Sequence, residues 1–147
     1  SIMAAATDRS INDWLNKPLD RTDFIPFAPL DRAERANDLF KLPPELHYTA
    51  NFMTVTCDVK PEWRDRIPAC VHVDGTARPQ LIHRAQNPVY YDVLAAYEQK
   101  TGIPALINTS FNVHEEPIIN KPEEALRALK EGRVDHLLSQ EAVWSLA

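Results

Sequence analysis

Residues 72–80 (HVDGTARPQ) bring together an imidazole, a carboxylate, a hydroxyl, a guanidinium and an amide. The segment is predicted to connect two strands, because Asp74 followed by Gly75 is a strong turn signal. A guanidinium held in place at such a junction can bind phosphate by two parallel hydrogen bonds. The pattern therefore predicts a phosphate site built on Arg78. The alternative is that Asp74 and Gly75 only make the turn and that Arg78 is a solvated surface charge.

Residues 108–112 (NTSFN) form a second polar segment, directly after the apolar run 104–107 (PALI). Open α/β sheets bind their ligands at the carboxyl ends of buried strands, which is where this segment is expected to lie. Asn and Ser side chains can donate to phosphate oxygens or accept from an amide N–H, and backbone N–H groups in a tight turn can add an anion-binding concavity. The alternative is a turn whose polar side chains satisfy their own backbone.

Lys17, Arg21 and Arg9 near the first predicted helix can add positive charge to the same pocket, although each is also explained as a surface residue. The five histidines show neither zinc-type spacing nor an HExxH pattern, so no metal site is expected within this chain. There is no GxGxxG or Walker sequence. Cys57 and Cys70 are predicted to be reduced, buried thiols.

These segments have to be positioned by alternating strands and helices, which predicts an α/β domain, with α+β as the alternative. Strands are predicted at residues 52–57, 69–73, 80–83, 104–107, 117–119, 135–138 and 142–144. Helices are predicted at residues 10–16 (capped by Ser10), 31–40 (capped by Asp31), 88–101 (capped by Asn87 and ended by Gly102) and from residue 122 to Gly132.

Composition places the chain among globular proteins of one domain, residues 1–147, with 44% hydrophobic and 25% charged residues. The net charge of −5 argues against non-specific nucleic-acid binding. No apolar run approaches the roughly 20 residues of a membrane span. We therefore expect a cytoplasmic protein with no membrane and no nucleic-acid partner.

Three segments together resemble the O-carbamoyltransferase family of antibiotic and nodulation-factor biosynthesis. They are residues 72–80 (HVDGTARPQ), 87–118 (NPVYYDVLAAYEQKTGIPALINTSFNVHEEPI) and 21–29 (RTDFIPFAP). The resemblance implies that the chain is the C-terminal domain of a longer two-domain enzyme. The implied fold is YrdC-like, a twisted open mixed sheet flanked by helices. The implied N-terminal domain is actin-like, contains iron and is similar to a tRNA-modifying protein.

The resemblance also implies the chemistry. The C-terminal domain converts carbamoyl phosphate and ATP, with Mg²⁺, into carbamoyl adenylate, and the N-terminal domain passes the carbamoyl group to a hydroxyl acceptor. By motif, Arg78 grips phosphate, and Ser110 and Asn108 help to hold the carbamoyl group and the nucleotide phosphates. The substrate- and nucleotide-binding residues that the motifs imply are Arg21, His72, Asp74, Thr76, Gln80, Asn112 and Lys17.

The chain departs from the family pattern at Leu19 and Ile25, where the family often has a lysine and an arginine. Lys17 is the nearest replacement for the lysine, so the pocket is expected to be rearranged or less active. Two rival hypotheses stay open: a docking or homodimerisation domain with little chemistry of its own, and a synthase of threonylcarbamoyl adenylate for tRNA modification. The negative net charge argues against the second rival, which needs a basic surface for RNA.

Overall fold

The computed structural model describes residues 1–17, 27–113, 115–139 and 141–146. Strands and helices alternate along this part of the chain, together with three short 3₁₀ turns. The strands are β1 (Ile2–Ala5), β2 (Ala28–Arg32), β3 (Phe40–Lys41), β4 (Cys57–Val59), β5 (Thr76–Ala77), β6 (Gln80–Ile82), β7 (Leu106–Thr109), β8 (His136–Leu138) and β9 (Val143–Ser145). The helices are α1 (Ser10–Asn16), α2 (Ala36–Leu39), α3 (His47–Ala50), α4 (Pro61–Arg64), α5 (Pro88–Thr101) and α6 (Pro122–Lys130).

The main sheet has the strand order β1-β7-β2-β6. Strand β7 pairs antiparallel with both β1 and β2, whereas β2 and β6 run parallel, so the sheet is mixed. A smaller sheet has the order β3-β4-β5, and β8 and β9 form a two-stranded hairpin. The mixed α/β composition predicted from the sequence is thereby confirmed.

The two faces of the main sheet bury different sets of side chains. On one face Leu30 packs with Ile82 and Leu106 against Leu94 of α5. The other face belongs to a larger core that includes Ile107 and joins both sheets. Successive side chains of a strand point to opposite faces, so β2 and β7 contribute to both cores. Burying each of these aliphatic side chains contributes about 1.5–3 kcal/mol to folding.

Helix α5 is bounded by the residues that the sequence indicates. The Tyr90 N–H donates to the side chain of Asn87 at 3.2 Å, and Pro88 occupies the first helical position. Gly102 ends the helix with a positive φ of 71°, the left-handed conformation that favours glycine. The predicted caps of this helix are confirmed, and the helix lies across β2.

The predicted helix over residues 31–40 is wrong. Strand β2 continues through Asp31 to Arg32, and only a 3₁₀ turn and the four-residue α2 follow. Asp31 is fully buried opposite Leu81 of β6, so it caps nothing. Pairing with a strand distant in sequence outweighs the local capping preference of an aspartate.

Three predicted strands also differ from the structure. Residues 52–57 contribute only Cys57 to β4, and residues 69–73 begin in a 3₁₀ turn that Pro68 initiates. Residues 117–119 form no strand among the described residues, although the Ile119 N–H donates to the Phe111 carbonyl at 2.9 Å. Helix α1 has the predicted bounds, but Ser10 does not cap it. The Ser10 N–H instead donates to Asp8 Oδ1 at 2.8 Å.

Both cysteines are free and buried, as predicted. Burial raises the pKa of the Cys57 thiol to about 11, and it raises the pKa of Cys70 further. Neither thiol is therefore a nucleophile near neutral pH. None of the described helices is both long and apolar enough to cross a membrane.

Candidate functional site

The carboxyl end of β7 places Asn108 between two neighbouring strands. Its backbone lies beside Met3 of β1 on one side and beside Ala28 of β2 on the other. The preceding residue, Ile107, is fully buried, and Asn108 itself is only 8% exposed. An amide side chain is thus held in the sheet at the point where the predicted binding segment begins.

The side chain of Asn108 reaches across β2 to Gln80 at the start of β6. Asn108 pairs with Ala28 and Gln80 pairs with Leu30, so all four side chains lie on the same face of the sheet. The Asn108 Nδ2 group donates to Gln80 Oε1 at 2.5 Å. This contact joins two segments that are almost 30 residues apart and that were each predicted to bind a ligand.

The oxygen atom of the Asn108 side-chain amide differs from the nitrogen in its hydrogen bonding. Asn108 Oδ1 is buried and accepts no hydrogen bond within the described part of the chain. Leaving a buried acceptor unpaired costs about 1–3 kcal/mol, and an amide cannot relieve that cost by titrating. The arrangement suits a ligand that donates an N–H or O–H group into this position.

The remaining polar residues of 108–112 divide into two kinds. Ser110 is half-buried two residues after Asn108, where it can contribute to a ligand site. Asn112 instead holds its own loop, because its Nδ2 donates to the Val113 carbonyl at 2.9 Å and to the Glu116 carbonyl at 3.0 Å. Phe111 anchors the segment between them in the core. The contacts of Asn112 point to positioning of this loop, whereas its predicted binding role stays a prediction.

His72, Asp74 and Thr76 contact one another in the turn that precedes β5. The Thr76 hydroxyl and backbone N–H both donate to Asp74 Oδ1, at 2.7 and 3.0 Å, and these hydrogen bonds lower the pKa of Asp74. His72 Nδ1 lies 3.0 Å from Thr76 Oγ1. Burial lowers the pKa of His72, opposed by Asp74 and aided by the charge of Arg78. At neutral pH the turn therefore holds an ionised carboxylate and a neutral imidazole.

Gly75 suits this turn because its backbone is in the left-handed conformation that favours glycine. Its φ is 83°, and a Cβ at this position would lie 2.8 Å from Cζ of Arg64. The guanidinium of Arg64 therefore rests directly on the turn while its Nε donates to the Val59 carbonyl at 3.0 Å. No feature of the sequence around Arg64 indicates this contact, which depends on how α4 packs on the turn.

Arg64 also lines an open cavity of about 320 Å³ together with Arg9, His72, Asp65 and Asp74. The two guanidinium groups are balanced by two carboxylates, so the cavity has no excess positive charge. The sequence predicted that Arg9 adds positive charge to the binding pocket. This cavity is nevertheless a weak candidate for an anion-binding site.

Arg78 lies between the turn and Gln80, in the short connection from β5 to β6. Its side chain is exposed, as is that of Lys17 at the end of α1. Arg21, Leu19 and Ile25 lie outside the described residues. The described chain resumes at Phe27, immediately before Ala28, which neighbours Asn108.

Comparison with protein families decides which group of proteins these features belong to. The family described as "Carbamoyltransferase C-terminus" matches residues 1–145. The chain belongs to the carbamoyltransferase C-terminal family. The resemblance stated from residues 21–29, 72–80 and 87–118 is confirmed, and carbamoyl transfer is the enzymatic activity of the family.

Three relatives illustrate the match to the carbamoyltransferases. "Nodulation protein U" of Rhizobium tropici is 39% identical over 137 residues, which cover 93% of this chain and 23% of the relative. "Nodulation protein U" of Azorhizobium caulinodans is 37% identical over 145 residues, covering 99% of this chain and 25% of the relative. "Nodulation protein NolO" of Bradyrhizobium diazoefficiens is 34% identical over 139 residues, covering 94% and 25%. The chain thus spans about a quarter of the length of the relatives it matches.

Proposed function

We propose that this carbamoyltransferase domain binds carbamoyl phosphate and ATP and forms carbamoyl adenylate, whose carbamoyl group then passes to a hydroxyl acceptor. The observation that carries the proposal is the Asn108–Gln80 pair, in which Asn108 Oδ1 is buried and has no hydrogen-bond partner among the described residues. A carbamoyl –NH₂ group supplies the donor that this oxygen lacks. Phosphate alone does not, because an ionised phosphate offers mainly acceptors.

The polar groups around Asn108 fit the two ends of carbamoyl phosphate. Asn108 Oδ1 accepts from the carbamoyl nitrogen, and Ser110 follows two residues later in the chain. The exposed guanidinium of Arg78, two residues before Gln80, is free to turn toward the phosphate end. A buried acceptor at one end and an exposed cation at the other would distinguish carbamoyl phosphate from inorganic phosphate.

The overall reaction balances with water as the third reactant. Carbamoyl phosphate, ATP and water become carbamoyl adenylate, phosphate and pyrophosphate. Attack by the acceptor hydroxyl on the carbamoyl carbon then breaks its bond to AMP, and the hydroxyl proton leaves with the products. The task of this domain is to gather positive charge and hydrogen-bond donors around two anions, which requires no nucleophilic side chain.

Magnesium fits this proposal as a companion of the nucleotide. The described residues contain no group of three or more His, Cys, Asp or Glu side chains that could hold a metal ion. Mg²⁺ commonly keeps several waters and binds through substrate phosphates with few protein ligands. The iron implied by the resemblance belongs to the N-terminal domain, outside this chain.

Calorimetric titration of the 147-residue chain tests the proposal. Carbamoyl phosphate and Mg²⁺-ATP are each titrated, alone and together, into the wild type, Arg78→Ala and Ser110→Ala. We expect saturable binding in the wild type and at least about tenfold weaker binding of carbamoyl phosphate in both variants, equivalent to about 1.4 kcal/mol.

Arg127→Ala provides the matched control, since it removes the same charge from the exposed surface of α6. Its affinities should equal those of the wild type. Production of pyrophosphate when both substrates are present would support the adenylation step. Equal weakening by Arg78→Ala and Arg127→Ala would contradict a specific role for Arg78, and absence of binding by the folded wild type would contradict the proposal itself.

A further inference from the structure

A groove of about 420 Å³ runs beside the edge of the main sheet. It lies between the start of β1 and the segment that enters β8, and aromatic and aliphatic side chains form most of its walls. The residues that line it are Ser1, Ile2, Met3, Trp14, Tyr90, Phe111, Ala125, Val134, Asp135, His136, Leu137 and Leu138.

The lining residues show that the groove follows two strand edges. Ile2 and Met3 are consecutive in β1, so their side chains point to opposite faces, yet both line the groove. Ile2 packs in the larger core and Met3 against the α5 side, as this alternation requires. The same holds for β8, because its three consecutive residues His136–Leu138 all line the groove.

Each of these strands has one neighbour in the described part of the chain. Strand β1 pairs with β7 alone, and β8 pairs with β9 alone. An edge strand presents a row of backbone N–H and C=O groups that can pair with another strand. Residues of both edge strands line one groove, so a single extended peptide bound there could receive backbone hydrogen bonds from both.

The surface next to the groove is apolar and exposed. Leu138 is 56% exposed and is paired in register with Val143, which is 66% exposed. Trp144, 51% exposed, is paired with Leu137, so its side chain lies on the opposite face of the hairpin. A hairpin of two strands gains little stability by itself, and grouped apolar side chains on a surface mark an interaction site. The hairpin therefore extends the apolar wall that a bound strand would contact.

The described strands of a second copy of this chain do not supply the strand that such a groove needs. A strand inserted between two edges must have both of its own edges free. Every strand in the described ranges already pairs with at least one neighbour. None of the described strands meets that requirement, whereas the relatives carry about three quarters of their length outside the region that this chain matches.

We propose that the groove between β1 and β8 binds an extended, apolar strand from that remaining part of the carbamoyltransferase polypeptide. The strand pairs by backbone hydrogen bonds with both edges and covers Leu138 of the hairpin. The inference concerns how the domain is assembled. It does not rest on the binding of ATP or carbamoyl phosphate, so either can fail without the other.

Hydrogen exchange on the 147-residue chain tests this inference. Overlapping peptides of about 15 residues, long enough for one strand, cover the part of Rhizobium tropici Nodulation protein U outside the match. We expect one overlapping set to slow the exchange of backbone amides in both β1 and β8 by about tenfold or more. A scrambled version of each active peptide should give no protection, since adhesion of apolar side chains alone fixes no register.

A pair of variants separates the groove from apolar surface in general. Leu138→Asp places a charge on the groove wall, and Val89→Asp places it on α5 at a side chain that is 62% exposed and does not line the groove. Leu138→Asp should weaken peptide binding about tenfold or more, while Val89→Asp should leave it unchanged.

Three results would overturn the inference. They are the absence of any protecting peptide, equal weakening by the two variants, and protection of the same amides by self-association of the chain without peptide.

Discussion

Asp31 and Asn108 each bury an oxygen atom that accepts no hydrogen bond within the described residues. They lie on neighbouring strands, β2 and β7, but in different surroundings. Asp31 is fully buried at a position whose side chain faces away from α5, while Asn108 faces Gln80 and is followed by the half-buried Thr109 and Ser110. The cost of the unpaired oxygen can therefore be reduced in a different way at each residue.

Asp31 can reduce the cost of burying its carboxyl group by staying protonated. Burial raises its pKa well above the ordinary value, against the opposing effects of the Arg32 backbone N–H and the Arg32 and Arg35 charges. The Arg32 N–H donates to Asp31 Oδ1 at 2.7 Å, which leaves Oδ2 without a donor. A neutral carboxyl group is less costly to bury than a carboxylate.

Asn108 cannot change its protonation in this way, because an amide does not titrate in this range. Among the described residues none donates to its Oδ1, so a ligand or a water molecule is a fitting donor. The comparison teaches that an incomplete polar atom indicates a binding site where its surroundings are partly open and its chemistry is fixed. In a closed core, the same incompleteness is answered by a change of protonation.

Truncating a buried leucine that neighbours both Asp31 and Gln80 should have the largest effect on stability. Leu30 is fully buried on β2. It precedes Asp31 in the chain and is paired with Gln80 of β6. Leu30→Ala should lower the free energy of unfolding by about 2–5 kcal/mol, from lost burial and a residual cavity. Urea unfolding followed by tryptophan fluorescence measures it. Leu126→Ala, at a leucine that is 39% exposed, should cost less than about 1 kcal/mol, and equal losses would contradict the described packing.

The free energy of unfolding of the Asp31→Asn variant should increase relative to that of the wild type as the pH rises. The unfolded carboxyl ionises near pH 4, whereas the folded one holds its proton to higher pH because its pKa is raised. Wild-type stability should therefore fall between these two pKa values, by about 1.4 kcal/mol per pH unit, and the variant should lack this fall.

Urea unfolding from pH 4.5 to pH 8 compares the two proteins. A stability difference that does not change with pH would show that Asp31 ionises normally in the folded protein, and the contrast with Asn108 would then be lost.

Asn108→Leu should separate stability from binding. The variant removes the unpaired oxygen and fills a similar volume, so the free energy of unfolding should change by less than about 1 kcal/mol. Under the proposed function, affinity for carbamoyl phosphate should fall roughly 10- to 100-fold, about 1.4–2.7 kcal/mol, because the carbamoyl –NH₂ loses its acceptor. Calorimetry with inorganic phosphate as a second ligand gives the control, since its affinity should hardly change.

Gln80→Ala should have the smallest effect and should couple to Asn108. Losing the acceptor of the Asn108 Nδ2 hydrogen bond should cost about 1 kcal/mol in unfolding free energy. In a double-mutant cycle with Asn108→Leu, the two changes should not add, because the second removes the group that Gln80 serves. Additive effects would mean that the two amides act independently.

Residue order alone predicted the parts of the fold that depend on local chemistry. The bounds of α5 follow from the Asn87 cap, Pro88 and the left-handed Gly102, which act within one or two turns of the chain. The turn at Gly75 and the existence of β6 and β7 follow in the same way. The family also follows from motifs that can be seen without a structure.

The sequence does not show which segments meet. Residues 31–40 have the pattern of a capped helix, yet pairing with β6 and β7 extends the strand through Asp31. Similarly, nothing near Arg64 indicates that its guanidinium rests on Gly75. Such contacts depend on residues far apart in the chain, whose pairing free energy exceeds local propensity.

The candidate site shows the same division. The sequence by itself determined that residues 72–80 and 108–112 carry groups able to bind a carbamoyl group and phosphate. Only the tertiary structure decided that Gln80 and Asn108 meet across β2 and that one amide oxygen is left incomplete. The reason is physical: residue type fixes which hydrogen bonds a side chain can make, whereas burial and strand register fix which of them are made.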